Sequence, residues 1–279
     1  MYQSVSNFGV KKRYLLIDGE GRKDKAGGSL LRRKKSIDKK RYLFAMFVLM
    51  LILTGCKTKE KEDNKTIRGC DLLEECGYEN NAVQGDFKAK YEALNDTINR
   101  NGKEYRTVSI SEGNPFVNTD GETILSLINQ KQTFYLYIGD EMCPWCRSVI
   151  EMAETIAKEK NIARIYYIEI WDDEGNEIFR DRYGYEKGIL NRMVEADSSY
   201  YELLDLFDEF LDDYTLEDEN NNEIDVGEKR IYAPNFFYVE NGVLKRFATG
   251  ISSLQEDSNE ELSPEILEDE RMIFTEFFD

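Results

Sequence analysis

Two cysteines in the run Cys143-Pro144-Trp145-Cys146 are the residues of this chain best suited to chemistry. The run follows an apolar segment, residues 134–138, and opens an amphipathic one with apolar residues at helical spacing. The first turn of a helix presents free N–H groups and a positive potential, and both stabilise a thiolate. A proline costs least in this turn, where its missing N–H would be unpaired anyway. The pattern predicts that Cys143 attacks as a thiolate and that Cys146 then attacks the mixed disulfide.

Zinc binding and a structural disulfide are the alternatives for this cysteine pair. A zinc site would need two more ligands, and the chain of 279 residues contains no histidine. Cys70 and Cys76, or carboxylates, would have to supply them, and the spacing of these cysteines is wrong for a zinc knuckle. A structural disulfide in so small a ring would constrain little of the unfolded chain. We therefore expect a redox-active pair that uses no metal ion and no bound cofactor.

The composition excludes several other classes of function. Without histidine, the chain cannot carry a Ser-His-Asp or Cys-His catalytic site. Its 55 acidic and 37 basic residues give a net charge of −18. We expect no nucleic-acid partner, because phosphate binding depends on clustered Lys and Arg. Hydrophobic residues make up 41% of the sequence, which is enough for a packed core.

The N-terminal region has the pattern of a secretory signal. Basic residues up to Arg41 precede an apolar run, residues 42–53, which is too short to span a bilayer. The run ends in Leu53-Thr54-Gly55-Cys56, which resembles the bacterial lipoprotein box. We predict that residues 1–55 are a signal segment and that Cys56 is lipidated. The lipid would anchor the protein to the outer face of a bacterial cytoplasmic membrane, and an uncleaved N-terminal anchor is the alternative.

A charged tether is expected between the lipid and the folded body. Residues 56–80 contain a charged run without apolar periodicity, followed by Cys70 and Cys76. In an oxidising compartment these two cysteines are expected to form a structural disulfide, and a second redox pair is the alternative. We place the folded domain at residues 81–279. Residues 1–38 are long for the start of a signal, and our hypothesis is that translation begins later than residue 1.

Apolar periodicity along the body predicts alternating strands and helices. The predicted strands are residues 105–111, 133–138, 162–171, 235–239 and 243–247, and the predicted helices are residues 86–98, 123–129, 144–160 and 264–278. This order is typical of an α/β fold, in which helices cover both faces of a sheet.

Residues 172–229 interrupt this alternation and are predicted to form an acidic, mainly helical insertion. Between Glu195 and Asp225 the sequence has 13 acidic side chains and no basic one. We interpret them as a solvated surface. An EF-hand is excluded, because Glu223 and Lys229 stand where its calcium loop needs a glycine and a glutamate. Weak calcium binding stays open as an alternative.

The cysteine pair, the element order and a later proline together resemble the thioredoxin superfamily. The shared features are a strand, then Cys143-Pro144-Trp145-Cys146 opening a helix, and later Ala233-Pro234 before a strand. The chain is similar in more detail to bacterial thioredoxin-like lipoproteins grouped with bacteriocin-transport accessory proteins. The resemblance implies a thioredoxin-like central mixed sheet flanked by helices, over roughly residues 103–279. It also implies that Pro234 is a cis-proline facing the two catalytic thiols, and that the backbone of Ala233 pairs with an extended substrate.

The motif and the resemblance predict a membrane-anchored, extracytoplasmic thiol-disulfide oxidoreductase. It would exchange disulfides and dithiols with protein substrates and with a further redox partner. The alternative is a non-catalytic, thioredoxin-fold binding or accessory module for a transport or immunity partner. The Pro-Trp pair between the cysteines favours a reductase or isomerase-like role over a strong oxidant.

The chain departs from simple thioredoxins at the position six residues before the first cysteine. The family has a buried acid there, and this chain has Tyr137. Proton transfer to Cys146 would therefore use water, Asp140 or Glu141. The sequence leaves open whether these two acids are buried or exposed.

Overall fold

The computed structural model of the chain describes residues 86–172 and 174–279. Its strands are β1 (Phe116–Asn118), β2 (Phe134–Gly139), β3 (Ile165–Glu169), β4 (Arg182–Glu186), β5 (Ile189–Val194), β6 (Asp212–Glu217), β7 (Glu223–Arg230), β8 (Asn235–Glu240) and β9 (Val243–Ala248). Its helices are α1 (Asp86–Ala93), α2 (Gly121–Asn129), α3 (Pro144–Glu159), α4 (Ser198–Phe207) and α5 (Pro264–Phe277), with a 3-10 turn at Asp208–Phe210.

The predictions for the N-terminal region fall outside the described residues. They are the signal segment, the tether, the lipidation site Cys56 and the disulfide between Cys70 and Cys76. Within residues 86–172 and 174–279, no helix is long and apolar enough to cross a membrane.

Five strands form the central sheet, in the order β1-β3-β2-β8-β9. β1, β3 and β2 run parallel, whereas β8 is antiparallel to β2 and β9 is antiparallel to β8. The parallel pairs need crossover connections, which α2 and α3 supply. The sheet is therefore mixed, and the predicted α/β class is confirmed.

Alternate side chains of β2 enter two different hydrophobic cores. Tyr135 and Tyr137 pack with the apolar residues of α1, α3 and α5. Phe134, Leu136 and Ile138 pack with those of α2 and α4. Successive side chains of a strand point to opposite faces, so a shift of one residue would exchange the two sets. Helices thus cover both faces of the sheet, as predicted, and they bury all six residues of β2.

The prediction of a mainly helical insertion over residues 172–229 was wrong. Its described residues form two antiparallel hairpins, β4–β5 and β6–β7, on either side of the ten-residue helix α4. The hairpin strands are largely exposed and rich in charged residues, and the sequence analysis did not interpret the short alternation along them, such as Ile224 and Val226 in β7, as strands. The turn of β4–β5 is formed by Lys187 and Gly188, both with positive φ, as a tight hairpin requires. The expected amphipathic face of α4 is present, and it is buried.

The prediction of a strand at residues 105–111 was also wrong, because these residues form no strand of the sheet. Their backbone bonds to side chains instead of to a neighbouring strand. Asn95 donates to the carbonyl of Val108 at 2.8 Å and accepts from its N–H at 3.0 Å, and the Ile110 N–H donates to Glu92 at 2.9 Å. The alternating apolar residues Val108 and Ile110 are nevertheless buried in the core beside α1. The first strand of the sheet, β1, was not predicted.

The predicted hairpin near the C-terminus is confirmed as β8–β9. Its turn residues Asn241 and Gly242 have positive φ values of 52° and 75°. Gly242 also lies against the end of α2, where a Cβ would come within 2.3 Å of the Ile128 carbonyl oxygen. The helices predicted at residues 144–160 and 264–278 are confirmed as α3 and α5.

Candidate functional site

The two cysteines lie where β2 ends and α3 begins. Cys143 is the N-cap residue of α3, and Pro144 is its first helical residue. The Cys143 sulfur accepts a hydrogen bond from the N–H of Cys146 at 3.4 Å. The accepting atom at an N-cap is normally a side-chain oxygen. Here it is a sulfur, at the position where the helix N-terminus favours negative charge. The placement of the motif at a strand-to-helix junction is therefore as predicted.

The surroundings of Cys143 favour its thiolate form. A hydrogen bond from the Cys146 thiol is the largest cause that lowers the pKa of Cys143. Burial opposes this change, and the N–H groups of Cys146 and Trp145 and the charge of Arg180 add to it. Cys143 is a partly exposed residue, whereas Cys146 is buried. A thiol whose pKa is lowered has the properties of a nucleophile.

Cys146 has the opposite character. It is completely buried, and burial raises the pKa of its thiol well above the ordinary value. The hydrogen bond to Cys143 and the negative charge on Cys143 raise this pKa further. Both cysteines are unbonded thiols in this structure. One member of the pair is thus poised to react first, and the other is held protonated.

Tyr137 occupies the position at which simple thioredoxins carry an acid. It hydrogen-bonds to the Cys146 sulfur and lowers the pKa of Cys146, although burial raises that pKa by more. Its hydroxyl also lies 2.8 Å from the Tyr91 hydroxyl. Burial raises the pKa of both tyrosines well above the ordinary value, so both remain neutral. A Cβ at Gly139 would lie 2.1 Å from the Tyr137 hydroxyl, which explains a glycine at the end of β2. Tyr137 can donate a hydrogen bond to a Cys146 thiolate, but it is no proton acceptor near neutral pH.

Asp140 and Glu141 are buried acids, with exposed fractions of 1% and 6%. Asp140 accepts hydrogen bonds from the N–H groups of Met142 at 2.8 Å and Trp171 at 3.0 Å. Burial, followed by the charge of Glu141, raises the pKa of Asp140 well above its ordinary value. Burial also raises the pKa of Glu141 to about 7. A carboxyl group that titrates near neutral pH can both accept and release a proton during catalysis.

Ala233 lies beside Cys143 in the loop before β8, and Pro234 follows it in the chain. The peptide bond between them is cis, which is the form that the resemblance implied. The Cys143 thiol donates to the Ala233 carbonyl oxygen, which lies 3.6 Å from its sulfur. This contact joins residues 90 positions apart in the sequence, because β8 pairs with β2. The structure thus brings Cys143, Cys146, Ala233 and Pro234 together at one end of the sheet.

Arg147 is a buried arginine that holds the first turn of α3, and the sequence analysis did not identify it. Its guanidinium donates to the carbonyl oxygens of Arg106 at 2.7 Å and Tyr91 at 2.8 Å, and to the Asn95 side chain at 2.7 Å. These bonds attach the helix start to the chain that precedes β1. Arg147 therefore supports the geometry of its neighbour Cys146.

Arg180 is a second residue that the sequence analysis missed. It precedes β4 in the insertion and donates to the Ile231 carbonyl oxygen at 3.0 Å, two residues before Ala233. The available signal was only a basic residue in a largely acidic segment. Its contact with the loop that faces Cys143 depends on how the insertion folds, which local patterns do not reveal.

Metal binding finds no support in the described part of the chain. Among residues 86–172 and 174–279, no group of three or more Cys, Asp and Glu side chains could hold a metal ion. In the acidic β6–β7 turn, the Asp218 carboxylate accepts from the N–H groups of Asn220 and Asn222, both at 2.8 Å. These bonds use that carboxylate to form the turn.

Comparison with known proteins adds no assignment to this geometry. No protein-family model matches the chain, and a search of curated proteins finds no significant similarity to any of them. What the chain does must therefore be inferred from its own residues.

Proposed function

We propose that the protein is a thiol-disulfide oxidoreductase with a thioredoxin-like fold. The observation that carries the proposal is the unequal pair of thiols at the start of α3. Cys143 is partly exposed with a lowered pKa, and Cys146 is buried with a raised one. Such inequality is needed when one thiol attacks a substrate and the other completes the exchange.

The arrangement of the sheet supports the thioredoxin-like part of the proposal. The strand order β1-β3-β2-β8-β9, with three parallel strands and two antiparallel ones, is compatible with that fold. The cis peptide bond at Pro234 lies at the start of β8, beside the end of the strand that leads to the cysteines. The insertion between β3 and β8 adds two hairpins and α4 to this framework.

In the proposed reaction, the Cys143 thiolate attacks one sulfur of a substrate disulfide. A bond forms between Cys143 and that sulfur, and the other substrate sulfur leaves as a thiolate and takes up a proton. Cys146 then loses its proton and attacks the Cys143 sulfur, which releases the second substrate thiol. The substrate gains two electrons, and the protein dithiol becomes a Cys143–Cys146 disulfide. A dithiol donor from outside the chain must return the two electrons.

Formation of the mixed disulfide lowers the pKa of Cys146. The charge of Cys143 and the hydrogen bond to it are two of the causes, after burial, that raise the pKa of Cys146. Both causes disappear once Cys143 is bonded to the substrate. The hydrogen bond from Tyr137 and the N–H of Asp140 then remain to stabilise a Cys146 thiolate. We propose that the proton released from Cys146 passes to water or to Asp140 or Glu141, the buried acids that follow β2.

The proposed setting is the outer face of a bacterial cytoplasmic membrane, with lipid on Cys56 as the anchor. Protein disulfides would be the substrates there. The competing hypothesis of a non-catalytic docking module finds no support at the aromatic face of α4, because Tyr200, Leu203 and Phe207 are buried against the sheet.

Reduction of insulin disulfides by dithiothreitol tests the proposal. We expect the full chain in detergent to accelerate the reaction and Cys143→Ser to abolish this acceleration. Cys146→Ser should instead accumulate a mixed disulfide through Cys143. Ser253, an exposed serine outside the described site, offers a matched control, and Ser253→Ala should leave the rate unchanged. Equal rates for the unmodified chain and Cys143→Ser would contradict the proposed function.

A further inference from the structure

A buried cluster of charges in the insertion joins two arginines to one glutamate. The Glu177 carboxylate accepts from Arg180 Nε at 2.5 Å and from an Arg230 nitrogen at 3.0 Å. The side chain of Glu177 is 0% exposed, that of Arg230 6% and that of Arg180 12%. Two guanidinium groups thus share one carboxylate. Asp181, which is also buried, acts on Arg230, so Arg180 has Glu177 as its own acidic partner.

The side of the cluster formed by Arg180 faces the candidate site. Arg180 Nη1 donates to the Ile231 carbonyl oxygen at 3.0 Å, and the Ala233 carbonyl oxygen lies 3.6 Å from the Cys143 sulfur. We propose that the insertion is part of the active site, with Arg180 as a positioning residue that stabilises the Cys143 thiolate and fixes the loop in front of it. This inference rests on the proposed function, and it gives the insertion a role in the exchange reaction.

The insertion holds this loop at several points besides Arg180. The Tyr232 hydroxyl accepts from the N–H of Thr215 and donates to the Asp213 carbonyl oxygen, both at 3.2 Å. Arg230 donates to the Asp181 carbonyl oxygen at 2.5 Å, and its guanidinium lies 4.0 Å from the centre of the Tyr214 ring. Residues 230–232 are therefore fixed by β6 and by the two residues that precede β4, Arg180 and Asp181. The position of Ala233 relative to Cys143 depends on these contacts.

The charges around Cys143 agree with this role. The ionisable groups that act on Cys143 include Cys146, Arg180 and Asp140, and Arg180 is the cation among these three. Burial disfavours the charge on Arg180, but Glu177 and then Tyr200 and Cys143 outweigh burial and raise its pKa. Arg180 therefore stays protonated while Cys143 titrates. Removal of this charge leaves Cys143 with the helix N-terminus and Cys146 as its stabilising neighbours.

Alkylation of Cys143 as a function of pH tests the inference without depending on turnover. The reduced full chain is treated with iodoacetamide in detergent, and mass spectrometry follows the peptide that contains Cys143. We expect Arg180→Gln to raise the apparent pKa of Cys143 by about one unit, which lowers its alkylation rate about tenfold at any pH well below both pKa values. Arg180→Lys should recover part of this loss, because it keeps the charge without the fork of two donors.

Arg192→Gln is the matched control. It removes one positive charge from the same insertion, where Arg192 donates to the Tyr183 hydroxyl. This variant should leave the alkylation profile unchanged. Because Arg180→Gln weakens the pairing of Glu177, the double variant Glu177→Gln/Arg180→Gln is tested beside it and should show the same raised pKa.

The outcomes separate this inference from the proposed function. If the unmodified Cys143 has a lowered pKa that neither Arg180→Gln nor the double variant changes, the role of Arg180 is refuted and the oxidoreductase stands. If the unmodified Cys143 titrates like an ordinary cysteine, both fail together. An equal change in Arg192→Gln would show a general effect of charge and would also overturn the specific role of Arg180.

Discussion

Replacement of Tyr137 by phenylalanine separates the contribution of one hydroxyl group from the packing of its ring. In the native site this hydroxyl bonds to the Tyr91 hydroxyl at 2.8 Å and to the Cys146 sulfur. Tyr137→Phe would leave the Tyr91 hydroxyl buried without this partner. A buried polar group without a partner costs about 1–3 kcal/mol, so we expect the free energy of unfolding to fall by that amount.

The same substitution removes a hydrogen bond that stabilises a Cys146 thiolate. A hydrogen bond to a charged group contributes about 1.5–3 kcal/mol, which predicts at least a tenfold slower attack of Cys146 on the mixed disulfide. Rapid mixing with a chromogenic disulfide, followed by acid quenching and mass spectrometry, measures the lifetime of that intermediate. The first attack, by Cys143, should keep its rate to within a factor of about three, roughly 0.7 kcal/mol in barrier height.

Tyr167→Phe is a matched control for both effects. Tyr167 lies on β3, its ring stacks on Tyr137 with centroids 5.3 Å apart, and its hydroxyl is buried without a hydrogen-bond partner among the described residues. Loss of this hydroxyl should leave stability unchanged or slightly increased, and the intermediate should have its normal lifetime. Equal behaviour of Tyr137→Phe and Tyr167→Phe would refute the assigned role of Tyr137.

Three further predictions concern the support of the site. Gly139→Ala should destabilise the fold by about 1–3 kcal/mol in thermal unfolding, because its Cβ would overlap the Tyr137 hydroxyl. Arg147→Met should cost at least about 2 kcal/mol in urea unfolding, since the carbonyl oxygens of Tyr91 and Arg106 lose its guanidinium, whereas Asn95 keeps its bond from Val108. Arg271→Met, at a surface ion pair, should cost less than about 1 kcal/mol. Burial raises the pKa of Glu270 to about 8, so the folded state keeps a proton that the unfolded state loses, and stability falls as the pH rises from about 4.5 to 8. Glu270→Gln, which imitates the protonated form, should therefore stabilise the fold by up to about 3 kcal/mol at pH 7 and by little at pH 4, and an equal effect at both pH values would contradict this assignment.

Local patterns identified the elements that position the cysteines. β2, α3 and the β8–β9 hairpin were predicted because each carries a continuous apolar pattern or a clear turn signal. The motif itself indicated which cysteine would attack, because the position of Cys143 at a helix start follows from Pro144 and the preceding strand. The pairing of this site with Ala233 and Pro234 came from the resemblance alone, since no local pattern joins residues so distant in sequence.

The features that were missed depend on contacts between distant residues. Residues 105–111 alternate like a strand, but side chains such as Asn95 and Glu92 satisfy their backbone groups. The hairpins of the insertion carry charged residues on exposed strands, and the short apolar alternation in β4, β6 and β7 was overlooked among them. Tyr91 and Arg180 become part of the site only through tertiary packing. The acids Asp140 and Glu141 were identified, but their burial could not be read from the sequence.

The reduction potential of the Cys143–Cys146 couple tests the central claim most directly. The full chain is equilibrated in detergent with a series of dithiothreitol or glutathione redox buffers, alkylated, and analysed by mass spectrometry of the peptide containing both cysteines. We expect one reversible two-electron transition between dithiol and disulfide, at about −270 to −180 mV, the range of reducing and isomerising thiol proteins. A pair that forms no disulfide with each other in any of these buffers would contradict the proposed exchange reaction.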